Sequence, residues 1–416
     1  MKTHYPLLVC SLVLLATSAV AQNYWQPTVG LAGRSVRSIA VGSNYSFAAT
    51  LDSGIYRSID GGQSWVQANT GITDLSTWSA VVDPNSPAIA YVGTQASGVY
   101  RTTDYGGSWT QTAFNRHWVI SSAIDGAGHI FIATVDTGIH RSTDNGNTWQ
   151  RVGDPFEIGS DVYSIGVNSL GHIFAGTDAR IFRSTDNGLT WIRSDSGVVV
   201  TGVIWSLAMN SAGDVFAGDG GGFFVGPGSV YRSSNNGNYW TQTPMTNRSV
   251  LSLAINSSGH IFAGTDSGVV ISTNNGNSGT RINSGLTVLR VYSIAIDSAG
   301  YAFAGTGGGG IFRSTQPTTS VLQSGNRAPT SYVLHQNYPN PFNPRTTIGF
   351  DVPHTANIAL KIFDLLGREI VTLMNQPLRP GEYKVEWDAS NFPSGVYFYR
   401  VEAEDFVQTR RLIVLR

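Results

Sequence analysis

The sequence predicts an all-β protein: a seven-bladed β-propeller closed by its own N-terminal strand, followed by a small β-sandwich. Three observations lead there. A segment of the form Ser-x-Asp-x-Gly-x-Thr-Trp recurs through the first three quarters of the chain. Each copy is flanked by short runs rich in β-branched and aromatic residues, in a chain with 48 glycines among 416 residues and only 13% charged residues. Beyond residue 331 the repeat is lost, yet strand-like runs continue at a different spacing.

The repeat is most complete at residues 142–149, Ser-Thr-Asp-Asn-Gly-Asn-Thr-Trp, with close copies at 58–65, 102–109 and 184–191. The copy at 233–240 has Asn235 in place of the Asp, and the copy at 272–279 has Asn274 and Gly279 in place of the Asp and the Trp. A truncated copy at 314–316 is ended by Pro317. The third positions fall at 60, 104, 144, 186, 235, 274 and 316, in steps of 44, 40, 42, 49, 39 and 42. A period near 40 residues marks a propeller or a solenoid. Pairs such as Asn145-Gly146 suit a tight hairpin because both residues tolerate positive φ. The Asp side chain accepts backbone N–H groups of the turn, and the Trp supplies a large apolar body to bury. This pattern resembles the Asp-box (bacterial neuraminidase) repeat of sialidases, some glycoside hydrolases, sortilin-type domains and photosystem assembly propellers. The resemblance implies a turn and no particular activity, so Asp60, Asp104, Asp144, Asp186, Asn235 and Asn274 are expected to be structural. The Asp-x-Asp-x-Asp-Gly spacing of a calcium loop is absent, and neither a metal nor a cofactor is expected.

The chain is divided into four parts. Residues 1–21 combine Lys2, an apolar run and Ala19-Val20-Ala21, the features of a secretory signal peptide cleaved before Gln22. Cys10, the single cysteine, lies inside that run, so the mature chain has neither a disulfide nor a thiol nucleophile. No other run is long enough to span a bilayer. Net charge is -1 without a basic patch, against nucleic acid as a partner. Residues 22–316 form the propeller. First strands begin at Val36, Thr77, Val119, Val162, Ile204, Val250 and Val291, and the Asp-box turn joins the third strand of each unit to the fourth. The last unit lacks a fourth strand. Tyr24-Trp25-Gln26 followed by Gly30-Leu31 resembles Ser64-Trp65-Val66 followed by Gly71-Ile72, so the N-terminal strand is expected to complete it and remove two open sheet edges. Residues 317–331, rich in Thr, Ser, Pro, Gly and Asn, read as a linker.

Residues 332–416 carry short strand-like runs at 346–352, 358–363, 369–373, 382–387, 395–402 and 406–415, which suit an antiparallel sandwich. The stretch 337–344 (Asn-Tyr-Pro-Asn-Pro-Phe-Asn-Pro), Ile362-Phe363-Asp364 with Gly367-Arg368, residues 394–397 (Ser-Gly-Val-Tyr) and the basic-apolar ending 410–416 resemble the type IX secretion C-terminal sorting domain, type A. The resemblance implies an Ig-like domain, the type IX machinery as a partner, passage across the outer membrane, and release or attachment at the cell surface.

A ligand site is expected on the face opposite the Asp-box turns. Arg37, Trp78, Ile120, Tyr163, Trp205, Leu251 and Tyr292 enter the innermost strands there, and aromatic rings with an Arg suit a sugar or a peptide. The competing reading packs them between blades as core. Turns on the same face carry Asp52, Asp136, Asp178, Asp219 and Asp266, with Gln95 and Gly307 in the matching places. They could form a carboxylate ring, or simply be turn residues. An insertion in blade five, residues 220–228, brings Phe223 and Phe224 onto a glycine-rich loop, a further candidate contact. Arg57, Arg101, Arg141, Arg183, Arg232 and Arg313 share one repeat position, so they cannot converge as the arginines of a sialidase do. His129, His172 and His260 are spread in the same way and are poor metal ligands. Asp83 stands at the end of a first strand, in a stretch resembling a repeat of Asp-box glucanases, and reads as a turn residue. The expected function is a non-catalytic module binding a glycan or a protein. The alternative is a glycoside hydrolase, sialidase-like or endo-glucanase-like, using a face carboxylate such as Asp161 or Glu157.

Overall fold

The structure, a computed structural model, describes residues 23–43, 45–153, 161–178, 180–199, 202–220, 227–318, 322–324, 331–404 and 406–415. The proposed signal peptide, Glu157, Phe223 and Phe224 lie outside the described residues.

All regular structure among the described residues is β, arranged in four-stranded antiparallel sheets. Seven of these lie between Trp25 and Ser314. Their first strands are Val36–Val41, Thr77–Val82, Val119–Ile124, Val162–Val167, Ile204–Met209, Val250–Ile255 and Val291–Ile296, beginning at the residues expected from the repeat. Sheets 1 to 6 each pair four consecutive strands in chain order. In sheet 7, Ile311–Ser314 pairs with Trp25–Pro27 from the start of the chain, in the register Trp25 to Ser314 and Pro27 to Phe312. The first strands of successive sheets pack side by side, and that of sheet 7 packs against that of sheet 1, so the sheets form a ring.

The core lies between neighbouring sheets, because each sheet is apolar on both faces. All five residues of every second strand are buried, as in Ser46–Thr50 and Ile261–Thr265. Phe47, Tyr91, Phe131, Phe174, Phe216, Phe262 and Phe303 take one position in these strands and are among the largest fully buried side chains. Burying one such ring contributes about 2 kcal/mol. Phe47, Ile55, Val92, Tyr100 and Trp109 share the cluster between sheets 1 and 2. Trp25, Phe262, Val269, Ile271 and Phe312 share the one between sheets 6 and 7.

The repeated turns have one geometry. In the copy at 142–149, Asp144 accepts from the Ser142 hydroxyl at 2.8 Å, the Thr148 N–H at 2.8 Å and the Thr148 hydroxyl at 2.6 Å, while Gly146 N–H donates to Ser142 Oγ at 2.8 Å. Asn145 and Gly146 have φ of 60° and 84°, the left-handed pair such a hairpin requires. Trp65, Trp109, Trp191 and Trp240 are buried, and Trp25 joins them at 1% exposure. A Cβ on Gly71 would stand 2.0 Å from the Trp109 carbonyl oxygen, and one on Gly30 or Gly285 equally close to those of Trp65 and Trp25. Trp25 is thus placed against its neighbouring sheet as the other tryptophans are.

The C-terminal part has two four-stranded sheets around one core. Arg345–Val352 and Gly381–Asp388 lie in one, Ala356–Phe363, Glu369–Leu378, Gly395–Ala403 and Phe406–Val414 in the other. Ile348, Phe350 and Trp387 from the first meet Leu360, Tyr399 and Leu412 from the second. Two short strands were not expected. Val333–Leu334 pairs with Arg345–Val352, and Leu322–Ser324, inside the stretch read as a linker, pairs with Gly381–Asp388. The Asn-Pro stretch is tied to this core. Asn337 is buried and its N–H donates to the Tyr399 hydroxyl at 2.8 Å, while Phe342 packs 5.7 Å from Trp387.

Candidate binding site

Each first strand contains a β-bulge, between its first and third residues, against the second strand. The extra residue in each bulge is Arg37, Trp78, Ile120, Tyr163, Trp205, Leu251 or Tyr292, the seven residues singled out from the sequence. A bulge leaves its extra residue outside the ladder and re-aims its side chain. All seven line one cavity of about 560 Å³.

Aromatic and charged groups are unevenly spread around it. The Arg37 guanidinium lies between two rings, 3.9 Å from the centroid of Tyr292 and 4.4 Å from that of Trp78. Trp78 meets Trp118 edge to face at 4.7 Å. Burial lowers the Arg37 pKa and Arg290 adds to this, while Tyr292 opposes it; the guanidinium stays charged. Farther round, Tyr163 and Trp205 meet at 5.1 Å. Burial, with Asp178 and Asp161 adding to it, pushes the Tyr163 hydroxyl up to about 12. Asp178 is raised above the ordinary carboxylate value by burial first and by Asp161 second. Asp266 and Arg290 also line the cavity.

Directly after the bulge residue, each first strand carries a serine that went unremarked in the sequence: Ser38, Ser79, Ser121, Ser164, Ser206, Ser252 and Ser293. Most bridge to the next sheet. Ile39 N–H donates to Ser293 Oγ at 3.0 Å, Ala80 N–H to Ser38 Oγ at 3.2 Å, Leu253 N–H to Ser206 Oγ at 2.8 Å and Ile294 N–H to Ser252 Oγ at 2.9 Å. The visible signal was a small polar residue recurring in the middle of an apolar strand.

The carboxylates expected in matching turn positions do not match. Asp219 is paired with Ile204 as Thr177 is with Val162 and Thr265 with Val250, so it replaces a buried threonine and is itself buried. Asp178 and Asp266 directly follow that threonine, Asp52 and Asp136 come one residue later, and no single ring of equivalent carboxylates results. The glycine-rich insertion behind Asp219 hid its register. Gln95 accepts from the Ser76 hydroxyl at 2.8 Å, and a Cβ on Gly307 would meet the Tyr292 ring.

The repeated arginines staple neighbouring sheets. Arg57 Nη1 donates to the Tyr105 carbonyl at 3.1 Å, Arg141 Nη1 to that of Asn187 at 2.7 Å and Arg313 Nε to that of Gly61 at 3.0 Å; Arg183 reaches the carbonyl of Asn236. Arg232 instead pairs with Asp214 at 2.9 Å. His129 bonds to Asp125 at 2.8 Å, His172 to Asn236 at 2.6 Å, and His260 lies 3.4 Å from Asn256. Asp83 is buried and accepts from Asn85 N–H at 2.9 Å, as a turn residue does.

Residues 336–415 match the family model described as the secretion system C-terminal sorting domain. This segment is a type IX secretion sorting domain. It marks the chain for export to the cell surface or beyond, and among the described residues no helix is long and apolar enough to cross a membrane. No curated protein matches the sequence. Solved structures with a similar fold are propeller-like. PorZ, an essential bacterial surface component of the type IX secretion system of Porphyromonas gingivalis, is 18% identical with a TM-score of 0.58, covering 95% of this chain and 61% of PorZ. YCF48 bound to D1 peptide is 16% identical with a TM-score of 0.57, covering 71% of this chain and 98% of YCF48. An ancestral GH74 enzyme is 15% identical with a TM-score of 0.60, covering 94% of this chain and 64% of the enzyme. The chain thus spans less than two thirds of PorZ and of the GH74 enzyme. At these identities the likeness extends to the fold alone.

Proposed function

We propose that residues 22–316 form a seven-bladed Asp-box β-propeller, closed by the N-terminal strand, that binds a glycan or a protein without catalysis. Residues 1–21 serve as its signal peptide, and 332–416, an Ig-like domain joined through 317–331, deliver it to the cell surface or the medium. One observation carries the binding reading: seven β-bulges direct residues of all seven first strands to one cavity, and five of those residues are aromatic or cationic. Bulges are retained where they re-aim a side chain, whereas plain core packing needs no break in the ladder. Arg37, Trp78, Tyr163, Trp205 and Tyr292 are the proposed contacts, together with Phe223 and Phe224 of the glycine-rich insertion. The test is a glycan and peptide binding panel with the full mature chain and Trp205→Ala. Saturable binding lost in the variant supports the reading; binding unaffected by Trp205→Ala and by Trp78→Ala refutes it.

The second reading, a glycoside hydrolase, draws on Asp178, whose raised pKa beside Asp161 suits a general acid. New reducing ends from a polysaccharide, abolished by Asp178→Asn, would support it.

A further inference from the structure

Two carboxylates face each other beside the cavity. In sheet 4 the last ladder pair of the first two strands is Val162 with Thr177, and the same register carried one residue on sets Asp161 opposite Asp178. Side chains at these two places do meet. In sheet 2, where the last pair is Thr77 with Thr94, the Ser76 hydroxyl donates to Gln95 Oε1 at 2.8 Å. Asp178 is exposed and Asp161 half-buried, so both are within reach of a ligand. Asp178 also bridges to Val203, at the start of the next first strand, and Val203 lines the cavity together with Tyr163 and Trp205. Two aromatic rings thus adjoin two like charges: Tyr163 stands two residues after Asp161, Trp205 two residues after Val203, and the rings meet edge to face at 5.1 Å. In sheet 5 the place of Asp178 is taken by Gly220. A Cβ there would stand 2.0 Å from Trp205 Cδ1, so the missing side chain is what makes room for the indole.

Like charges directly opposite each other in a sheet destabilise it, so a fold that keeps such a pair beside a cavity points to a cation that joins them. The neighbouring rings decide which kind. Calcium takes about six to eight oxygen ligands, and no group of three or more His, Cys, Asp or Glu that could hold a metal ion occurs among the described residues. An organic cation uses both kinds of neighbour, donating hydrogen bonds to the carboxylates while it lies on an aromatic face. Across the ring of sheets, Arg37 and Arg290 line the same cavity from sheets 1 and 7. They repel a polymer with a positive charge on every unit, such as an amino-sugar chain, and tolerate a peptide whose one basic residue lies at the far wall. We propose that Asp161, Asp178, Tyr163 and Trp205 form a subsite for the guanidinium or ammonium group of a basic residue in a protein partner. The inference rests on the reading of the cavity as a binding site.

The test follows the indole N–H signals of the full mature chain by NMR, with the Trp205 signal identified by its loss in Trp205→Phe. The probes are the capped peptide Gly-Ala-Arg-Ala-Gly, its lysine form and its neutral citrulline form. The arginine or the lysine peptide is expected to saturate the Trp205 shift at a concentration at least about tenfold lower than the citrulline peptide. Asp178→Asn should reduce that preference below about threefold, and Asp178→Glu should keep most of it. Because Asp178→Asn removes one of two opposed charges, it should hold or raise the unfolding temperature of the free protein, the reverse of losing a structural contact. Equal binding of charged and citrulline forms, a preference intact in Asp178→Asn, a lower unfolding temperature in that variant, or no shift with any of the peptides overturns the subsite. A shift caused by a glucosamine tetramer or by calcium alone, with the peptides inert, overturns it in favour of a glycan or a metal. The reading of the cavity fails separately. If only the cation assignment is wrong, ligands from the glycan and peptide panel still lose binding in Trp205→Ala; if the cavity is not a binding site, that variant changes nothing.

Discussion

Asn235 and Asn274 stand where the other turns have Asp, and the geometry accommodates each differently. Asn235 faces Tyr239, which offers only its N–H, at 2.9 Å, so a single acceptor oxygen suffices. Asn274 accepts from Ser278 N–H and returns its own amide N–H to Ser278 Oγ, both at 2.9 Å. Asp144→Asn should therefore keep most of the unfolding temperature, and Asp144→Ala, with no acceptor, should lower it clearly further in a differential scan. Acid titration separates two other groups. Burial, with Arg151 and His117 acting in the same sense, lowers the His140 pKa from 6.5 to about 4. The unfolded chain then binds this proton more readily than the folded one, so stability is full above pH 6.5 and falls as pH drops towards 4. Asp104 is held at about 2 by the Ser108 N–H and the Thr102 and Ser108 hydroxyls, so its contribution is present above 3.8 and lost towards pH 2. His140→Gln should reduce the slope in the upper window alone and Asp104→Asn that in the lower one alone, where Asp60, Asp144 and Asp186, also lowered, keep a residual slope. His260, also lowered by burial, leaves a residual slope in the upper window.

At the level of strands and turns, the chain could be read well where local pattern decides. Apolar runs place the strands, and Asn-Gly pairs place hairpins whose φ values are indeed positive. The bulges could not be read, because a bulge is a mismatch of register between two strands and no single run displays it. For the same reason the sequence left Arg37 and Tyr292 open between core and cavity, since strand alternation puts Tyr292 on the side of Ile294. Asp219 was misplaced because its partner across the ladder, Ile204, decides its position. Two of the contacting glycines have a local signature after all, lying six residues beyond a Trp, Gly71 after Trp65 and Gly197 after Trp191. At Gly71 a positive φ of 91° coincides with the close approach to the Trp109 carbonyl, so any side chain meets both strain and a backbone clash. Gly71→Ala should destabilise the protein by about 3 kcal/mol, measured by denaturant unfolding. Gly126→Ala, with no atom within 4 Å of the added Cβ, is the control and should be near neutral.

At the scale of the molecule, the question is whether seven sheets behave as a row or as a ring. The pairing of Trp25–Pro27 with Ile311–Ser314 joins residues nearly 300 positions apart, and only the likeness of Tyr24-Trp25-Gln26 to Ser64-Trp65-Val66 announced it in the sequence. In a row, each sheet depends on its neighbours, and loss of an end strand frays that end first. In a ring, the N-terminal segment completes sheet 7 and also bridges to sheet 1, through Leu31, which packs with Trp65 and Phe303, and through Val29, whose N–H donates to the Gln63 carbonyl at 3.0 Å. Trp25→Ala removes a ring buried among Phe262, Ile271 and Phe312 and should cost about 4 kcal/mol, lowering the unfolding midpoint by roughly 10 °C. Deleting residues 22–30 should do more than fray sheet 7. It opens the ring, so amide exchange should accelerate in all seven sheets, including sheets 3 and 4 on the far side. Loss of protection confined to residues 291–314, with sheets 3 and 4 unchanged, would show that the sheets stand as a row and that the N-terminal strand is only an edge.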